Sequence, residues 1–323
     1  MFRALFLLLF VPVLLLALEG YISEERIEPW FTGPIVTANP NAIPAGHYNI
    51  EPYLYGYAYT ASYDENWDAE GSGTYWSVAS ETIFQMGVLS WLDIGFTPTF
   101  YWNHNEGAAN WAFGDFSVQF DAQLHRDTLS HKSWWPSIKF TIKETAPTGK
   151  YRHLNPAKQG TQLGGFGSWV TTAALTFGKM IHFSGYHFLH SRLSVQGNYW
   201  APTHLKGYNV YGGNAGTDGM YYPGWSALLD FGLEYSMTRN WALAFDFQGA
   251  WQGSSRFHGK DGEVLEGVVF SHTVAPTIQY SLAPALEYNW SENWGVIGGV
   301  WFTVTGKNSP KFTTGVIALN YFK

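Results

Sequence analysis

The sequence predicts an all-β chain, a transmembrane antiparallel up-and-down β-barrel of about twelve strands with short periplasmic turns and long extracellular loops. Three observations predict it. Segments in which apolar and polar residues alternate recur from His47 to the C-terminus. Most of these segments exceed the soluble mean of about 5–6 residues and match the roughly 9–11 needed to cross a bilayer at a tilt. The connections between them run long, short, long, short, as a barrel requires and a sandwich does not.

The composition fits. Of 323 residues, 46% are hydrophobic and 18% aromatic, yet only 13% are charged, against about 25% in an average globular chain. Mean hydropathy is only -0.13, as expected when apolar residues alternate with polar ones and do not form blocks. A net charge of -7 and a pI near 5.8 give no basic footprint for nucleic acid. The chain has no cysteine, which excludes disulfides, thiol chemistry and cysteine metal sites.

The N-terminal stretch "MFRALFLLLFVPVLLLALEG" carries Arg3, an apolar run from Ala4 to Leu18, then Glu19. That run is the length of an export-signal core and short for a spanning helix, which needs roughly 20 residues. Residues 1–20 are therefore expected to be a signal peptide, cleaved near Ala17 or Gly20, with an uncleaved anchor as the alternative. No later stretch reaches helix-spanning length, so a mature membrane form has to use strands. Residues 21–46 contain several prolines and no sustained period, which predicts an irregular periplasmic lead-in or a lumen plug. The barrel domain is expected to occupy 47–323.

Strands are expected at 47–60, 74–87, 89–102, 114–126, 134–145, 164–178, 184–200, 225–237, 240–252, 274–290, 293–305 and 311–322. In the third, Leu92, Ile94, Phe96, Phe100 and Trp102 oppose Asp93, Thr97 and Thr99. The fourth, "GDFSVQFDAQLHR", sets Phe116, Val118, Phe120, Ala122 and Leu124 against Ser117, Gln119, Asp121, Gln123 and His125. In the fifth, Ile138, Phe140 and Ile142 oppose Lys139, Thr141 and Lys143; in the ninth, Trp241, Leu243, Phe245 and Phe247 oppose Asp246 and Gln248. Successive strand residues point to opposite faces, so lipid is expected on one side and an aqueous lumen on the other.

The connections at 61–73, 103–113, 146–164, 202–223 and 253–272 read as long loops, and "GV", "SMTRN" and "WSEN" as short turns. Trp91, Trp241, Trp290 and Trp294 fall beside short turns, and Tyr101, Trp102, Tyr199 and Trp200 at the mouths of long loops, where aromatic girdles belong.

With apolar residues facing lipid, the lumen is expected to hold Asp121, Lys139, Lys143, Arg192, Asp230, Glu234, Asp246 and Glu287, together with Glu51, Glu81 and Asp93. The acids of the eighth to tenth strands form one wall, and the cations come from the fifth and seventh. Two readings stay open: opposed charges set a transverse field that orients polar solutes, or they pair and fill the lumen. Twelve strands lie between a side-chain-filled barrel of about eight and a porin of sixteen to eighteen, which predicts a narrow or partly occluded passage. Tyr53, Tyr55, Tyr57 and Tyr59 share parity with Glu51, so an inward face offers aromatic contacts, and the alternative is a packing ladder. His187 and His190 point to opposite faces of a strand, which disfavours a metal site with His182, and no cofactor motif is present.

The segments "FGDFSVQFDAQL" (113–124), "PSIKFTIKETAPTGKY" (136–151) and "GGFGSWVTTAALTFGK" (164–179) resemble the outer-membrane barrel family named for meta-pathway phenol degradation. Its phenylalanine-glycine-aspartate strand start matches Phe113, Gly114 and Asp115, its proline-threonine-glycine matches Pro147, Thr148 and Gly149, and "EPWFTGP" and "GHYNIEPYLY" resemble the lead-in of one subgroup. The resemblance covers most of the chain after residue 28. It implies an outer-membrane location and passage of small, often aromatic or hydrophobic compounds. Barrel chains commonly end in an aromatic residue read by the assembly machinery, whereas here Phe322 precedes Lys323.

The expected function is therefore a channel or facilitated transporter for small solutes, including aromatic or hydrophobic compounds, in the bacterial outer membrane, with lipid and the assembly machinery as partners and no nucleic acid, catalysis, metal or cofactor. The alternatives are a closed barrel acting as a surface adhesin or structural protein through its loops, and, less favoured, a lipid hydrolase, which would need Ser, His and an orienting Asn or Asp on the lipid-facing wall.

Overall fold

The computed structural model describes residues 28–127, 134–260 and 270–323; the expected signal peptide lies outside them. Along the chain the strands are β1 (Tyr48–Tyr63), β2 (Ala69–Leu89), β3 (Leu92–Thr97), β4 (Thr99–Asn105), β5 (Ala108–Phe113), β6 (Phe116–His125), β7 (Ser137–Ala146), β8 (Val170–Ser184) and β9 (His187–Trp200). They continue as β10 (Thr203–Lys206), β11 (Asp218–Tyr222), β12 (Ser226–Ser236), β13 (Trp241–Gln252), β14 (Ser255–Lys260), β15 (Phe270–Val274), β16 (Thr277–Asn289), β17 (Trp294–Lys307) and β18 (Pro310–Phe322). Fourteen of them form one antiparallel sheet. Two spans are each interrupted, β3–β4 at Pro98 and β5–β6 at Gly114–Asp115, so twelve spans make the wall. Pro98 has no N–H for the ladder but its carbonyl still accepts from Thr82 at 3.2 Å. The barrel closes because β1 pairs with both β2 and β18. Tyr48 and Lys323 exchange backbone bonds of 2.7 and 3.0 Å at that seam.

The two faces of the wall are chemically inverted relative to a soluble protein. Leu54, Met86, Phe120, Leu243, Leu286 and Ile317 are exposed on the outside, while Asp93, Asp121, Glu234, Asp246, Glu287 and Thr314 are at most 1% exposed inside. Only lipid makes an apolar exterior over a polar interior favourable. At the short-turn end Trp91, Trp241, Trp290 and Trp294 are exposed, with the Trp294 ring tilted against Tyr321 at 4.3 Å and the Trp241 ring tilted against Tyr288 at 4.6 Å. Tyr199 joins the outer girdle at the loop end. Tyr101 and Trp200 do not: both line an interior cavity, and the Trp200 indole donates to Ser226 at 2.9 Å, because their parity is that of Asn103 and Asn198.

Several boundaries differ from the sequence expectation for physical reasons. The stretch 103–113 is not a long loop: β4 and β5 continue past the lipid and turn at Glu106–Gly107, whose φ values of 46° and 82° suit a two-residue hairpin turn. Likewise 61–73 shrinks to the turn at Asp64–Asp68, and β17 and β18 join through Asn308–Ser309 alone. Polar strand residues above the lipid look like loop when only hydropathy is read. Gly87 and Val88 lie within β2, and the turn falls at Ser90–Trp91. The expected strand at 164–178 lies at 170–184; Gly164 and Gly165 sit against Phe113 and Asp115 and not in a ladder.

Part of the loop region folds further. β10, β11, β14 and β15 form a separate four-stranded sheet with Leu205, Tyr221 and Phe257 at its core. Tyr211 stacks on Tyr221 at 3.9 Å, and burial raises both phenols above their ordinary range.

Candidate functional site in the barrel lumen

Strand β1 supplies an aromatic wall. Its inward parity carries Tyr53, Tyr55, Tyr57 and Tyr59, whose rings stack in succession at centroid distances of 5.5, 5.7 and 5.7 Å. Residues two apart on a strand share a face, so a run of alternate tyrosines stacks without any special backbone. Tyr53 donates to Glu51 at 3.0 Å, and Trp301 and Phe312 meet Tyr57 edge-on. Tyr53, Tyr55 and Tyr57 line an interior cavity of about 730 Å³.

The same cavity holds residues 29–44 of the chain, which run along the inside of the wall. A proline-rich segment has no ladder of its own, and its buried N–H groups need acceptors. Wall carboxylates and one wall amide provide them. Asp246 accepts from the Val36 and Thr37 amides at 3.1 and 3.0 Å and from the Thr37 hydroxyl at 2.6 Å. Glu287 accepts from the Thr32 amide at 2.8 Å, Asp93 from Ile43 at 2.7 Å, and Gln123 from Ala42 at 2.7 Å. At the short-turn end the Arg239 guanidinium lies 4.4 Å over the Trp30 ring. Glycines in the wall make the room. A Cβ on Gly178 would strike Pro40, one on Gly232 would lie 2.9 Å from Pro34 and Thr37, and one on Gly299 would lie 2.8 Å from Ile35.

The eight charged residues expected in the lumen all lie on the inner wall, and most are engaged locally. Lys139 on β7 meets Asp121 on the adjacent β6 at 3.4 Å; Asp121 also accepts from Gln119, Gln85 and Thr141. Arg192 on β9 meets Glu234 on the adjacent β12 at 2.6 Å, with His190 at 3.0 Å from the same carboxylate. Asp230 accepts from Gln248 at 2.8 Å. Arg192 and Lys139 thus pair along the wall with a neighbouring strand and do not face the acids across the pore. Lys143 differs: among the described residues no carboxylate lies within 4.0 Å of its ammonium.

Lys143 also has a particular position. A second cavity, of about 440 Å³, lies toward the loop end and is walled by Tyr101, Phe166, Trp200 and Trp251 with Gln196 and Asn198. Lys143 and Gln196 border both cavities. The acceptor role of Glu287, Asp246 and Asp93 toward residues 32–43 was not readable from strand parity, which gives the face a residue occupies and not what lies against it. The available signal was an excess of inward carboxylates over inward cations.

No family model matches the chain, and no curated protein sequence matches it. Among solved structures, an outer-membrane channel from Pseudomonas putida F1 is similar over 90% of this chain and 100% of its own, at 11% identity and a TM-score of 0.67. The fold is that of an outer-membrane barrel. Its residence is accordingly the bacterial outer membrane, where the apolar exterior meets lipid. The NanC porin (7% identity, 84% and 98% covered, TM-score 0.45) and the TodX monoaromatic hydrocarbon channel in a deltaS2 mutant (9%, 86% and 89%, 0.37) are more distant and carry no weight for function.

Proposed function

We propose that this barrel is a narrow channel or facilitated transporter for small solutes with aromatic or hydrophobic character. The observation that carries the reading is the stacked ladder of Tyr53, Tyr55, Tyr57 and Tyr59 facing the lumen, beside two interior cavities that meet at Lys143 and Gln196. Ring faces stacked along a path offer successive weak contacts, each worth about 0.5–1.5 kcal/mol, which suits a solute that has to bind and then leave. The likeness of "FGD", "PTG" and "GGFG" to the family named for meta-pathway phenol degradation supports the same solute class. Residues 29–44 narrow the periplasmic half of the path, so the ground state conducts little.

The experiment is single-channel recording of the refolded barrel in a planar bilayer, followed by addition of phenol on one side. Wild type is expected to show small discrete openings that phenol interrupts, and Tyr55→Ala/Tyr57→Ala to shorten the interruptions. A folded barrel that stays silent, also after removal of residues 28–44, overturns the channel reading.

A further inference from the structure

We propose that the outward face of the four-stranded loop sheet is a docking surface for the phosphate groups of the glycolipid that forms the outer leaflet. The proposal goes beyond the channel reading and needs only that the barrel sits in the outer membrane.

The sheet is an extension of the wall. β9 runs into β10 across 201–202, β11 into β12 across 223–225, β13 into β14 across 253–254 and β15 into β16 across 275–276. The wall order β9, β12, β13, β16 is therefore kept above the break as β10, β11, β14, β15. Pro202, Pro223, Gly253 and Pro276 stand at the four breaks, where a ladder is readily interrupted. Strand parity then separates two faces of the extension. Leu205, Tyr221 and Phe257 point to one side, where Tyr151 and Tyr211 pack against them. The register sets three rows on the other side: Tyr222 beside Arg256, then His204, Met220 and His258 abreast, then Lys206, Asp218 and Lys260 abreast. Successive rows lie roughly 7 Å apart, because they are two residues apart along each strand.

This face is cationic in a chain whose net charge is -7. Its rows carry Lys206, Arg256 and Lys260 against the single acid Asp218. Opposite charges directly across a ladder usually pair, and Asp218 lies opposite both lysines. It turns instead to His204, whose Nε2 is 2.8 Å from the carboxylate. Among the described residues no carboxylate lies within 4.0 Å of any of the three cations. Arg152 adds a fourth at the β10 edge, where it donates to the His204 carbonyl at 3.2 Å. Three further acids, Asp261, Glu263 and Glu266, follow Lys260 in the sequence and lie outside the described residues.

The height of the face fits lipid headgroups. Tyr199 and Trp225, each 64% exposed at the loop end of the wall, belong to the aromatic girdle, which marks the boundary between acyl chains and headgroups. Tyr222 is three residues beyond Trp225, and the Arg256 guanidinium lies 5.2 Å over its ring. A guanidinium lying over an aromatic face keeps its edge donors free, and that planar fork matches a phosphate. The lysine row lies further out, so cations extend from the girdle through the depth occupied by sugar phosphates. Basic clusters placed in this way beside a membrane hold anionic lipid. Neither interior cavity includes these cations, which stand on an open face above the bilayer. A phosphate anchored by its own acyl chains is held there without an enclosing pocket.

The test uses the full chain refolded in detergent, free of native lipid, with a chelator present so that no divalent ion bridges phosphates. Native mass spectrometry compares retention of diphosphorylated lipid A with that of the same lipid stripped of phosphate. Wild type is expected to retain the phosphorylated form several-fold better, and the preference to fall as ammonium acetate rises from about 0.1 M to about 1 M. Lys206→Gln/Arg256→Gln/Lys260→Gln is expected to lose the preference in a protein that still migrates as a folded barrel. Lys150→Gln/Lys158→Gln, which removes two exposed cations elsewhere in the loops, is expected to keep it. Equal retention of both lipids by wild type overturns the docking surface, and so does a preference that survives the triple variant. Loss in both variants would make the preference a general effect of loop charge and overturn it as well. Glucosamine phosphate without acyl chains, if retained as strongly as lipid A, would make the face a site for soluble anions and overturn the lipid assignment. The channel reading stands or falls separately, on the bilayer recordings.

Discussion

Asp246 accepts three hydrogen bonds from two consecutive residues of the lead-in and is 1% exposed. Bonds to a charged acceptor contribute about 1.5–3 kcal/mol each, and donors left unpaired in a buried place cost about 1–3 kcal/mol. Asp246→Ala therefore removes the main attachment of residues 36–37 and leaves their amides without an acceptor. The expected result is a several-fold higher single-channel conductance, with a smaller rise for Asp246→Asn, which keeps one carbonyl oxygen. Equal conductance in both variants and wild type would mean that the lead-in does not limit flow. Arg192 makes a second residue-scale case. Its guanidinium is the cation next to Glu234, and both are buried. Arg192→Ala strands a buried carboxylate at a cost of about 3–5 kcal/mol. Denaturant unfolding in detergent should show that loss, and Arg192→Ala/Glu234→Ala should recover part of it.

At the scale of an element, β8 shows what the sequence could and could not reveal. Its alternation places Thr172, Ala174 and Thr176 inside and Leu175 and Phe177 toward lipid, and that parity was legible because burial follows a period of two. The same holds for the β1 tyrosines and for all eight charged lumen residues. The ends of β8 were not legible, since "GGFGSW" alternates weakly and its true partners, Phe113 and Asp115, are about fifty residues away. Nor was the purpose of Gly178, which looks like a strand weakness and is the seat for Pro40. Replacing it by Val should push the lead-in off the wall while the outward face of β8 is untouched. Conductance is expected to rise as in Asp246→Ala, with heat-modified gel migration showing an intact barrel. A barrel that fails to form would instead make Gly178 a requirement of the wall.

For the whole molecule the question is which ions the lumen admits, and the net charge of -7 is a poor guide because several inner charges are already engaged by the wall or the lead-in. Asp121 is paired with Lys139, Glu234 with Arg192, and Asp93, Asp246 and Glu287 hold lead-in amides. Lys143 is the cation at the meeting of the two cavities. Glu81 of β2 and Asp230 of β12, each three spans away around the wall, line the same cavity of about 730 Å³. A solute passing this level meets one cation and two carboxylates, a net of one negative charge, so wild type is expected to be weakly cation-selective. Lys143→Glu converts the set to three acids, and potentials in a narrow low-dielectric passage add. The reversal potential under a potassium chloride gradient should therefore move toward cation selectivity. Lys143→Met should move it in the same direction by a smaller amount. The shift should shrink when salt rises from about 0.1 M to about 1 M, because the screening length falls from about 10 Å to about 3 Å. A selectivity that ignores Lys143 would place the controlling constriction elsewhere, among the lead-in contacts of the periplasmic half.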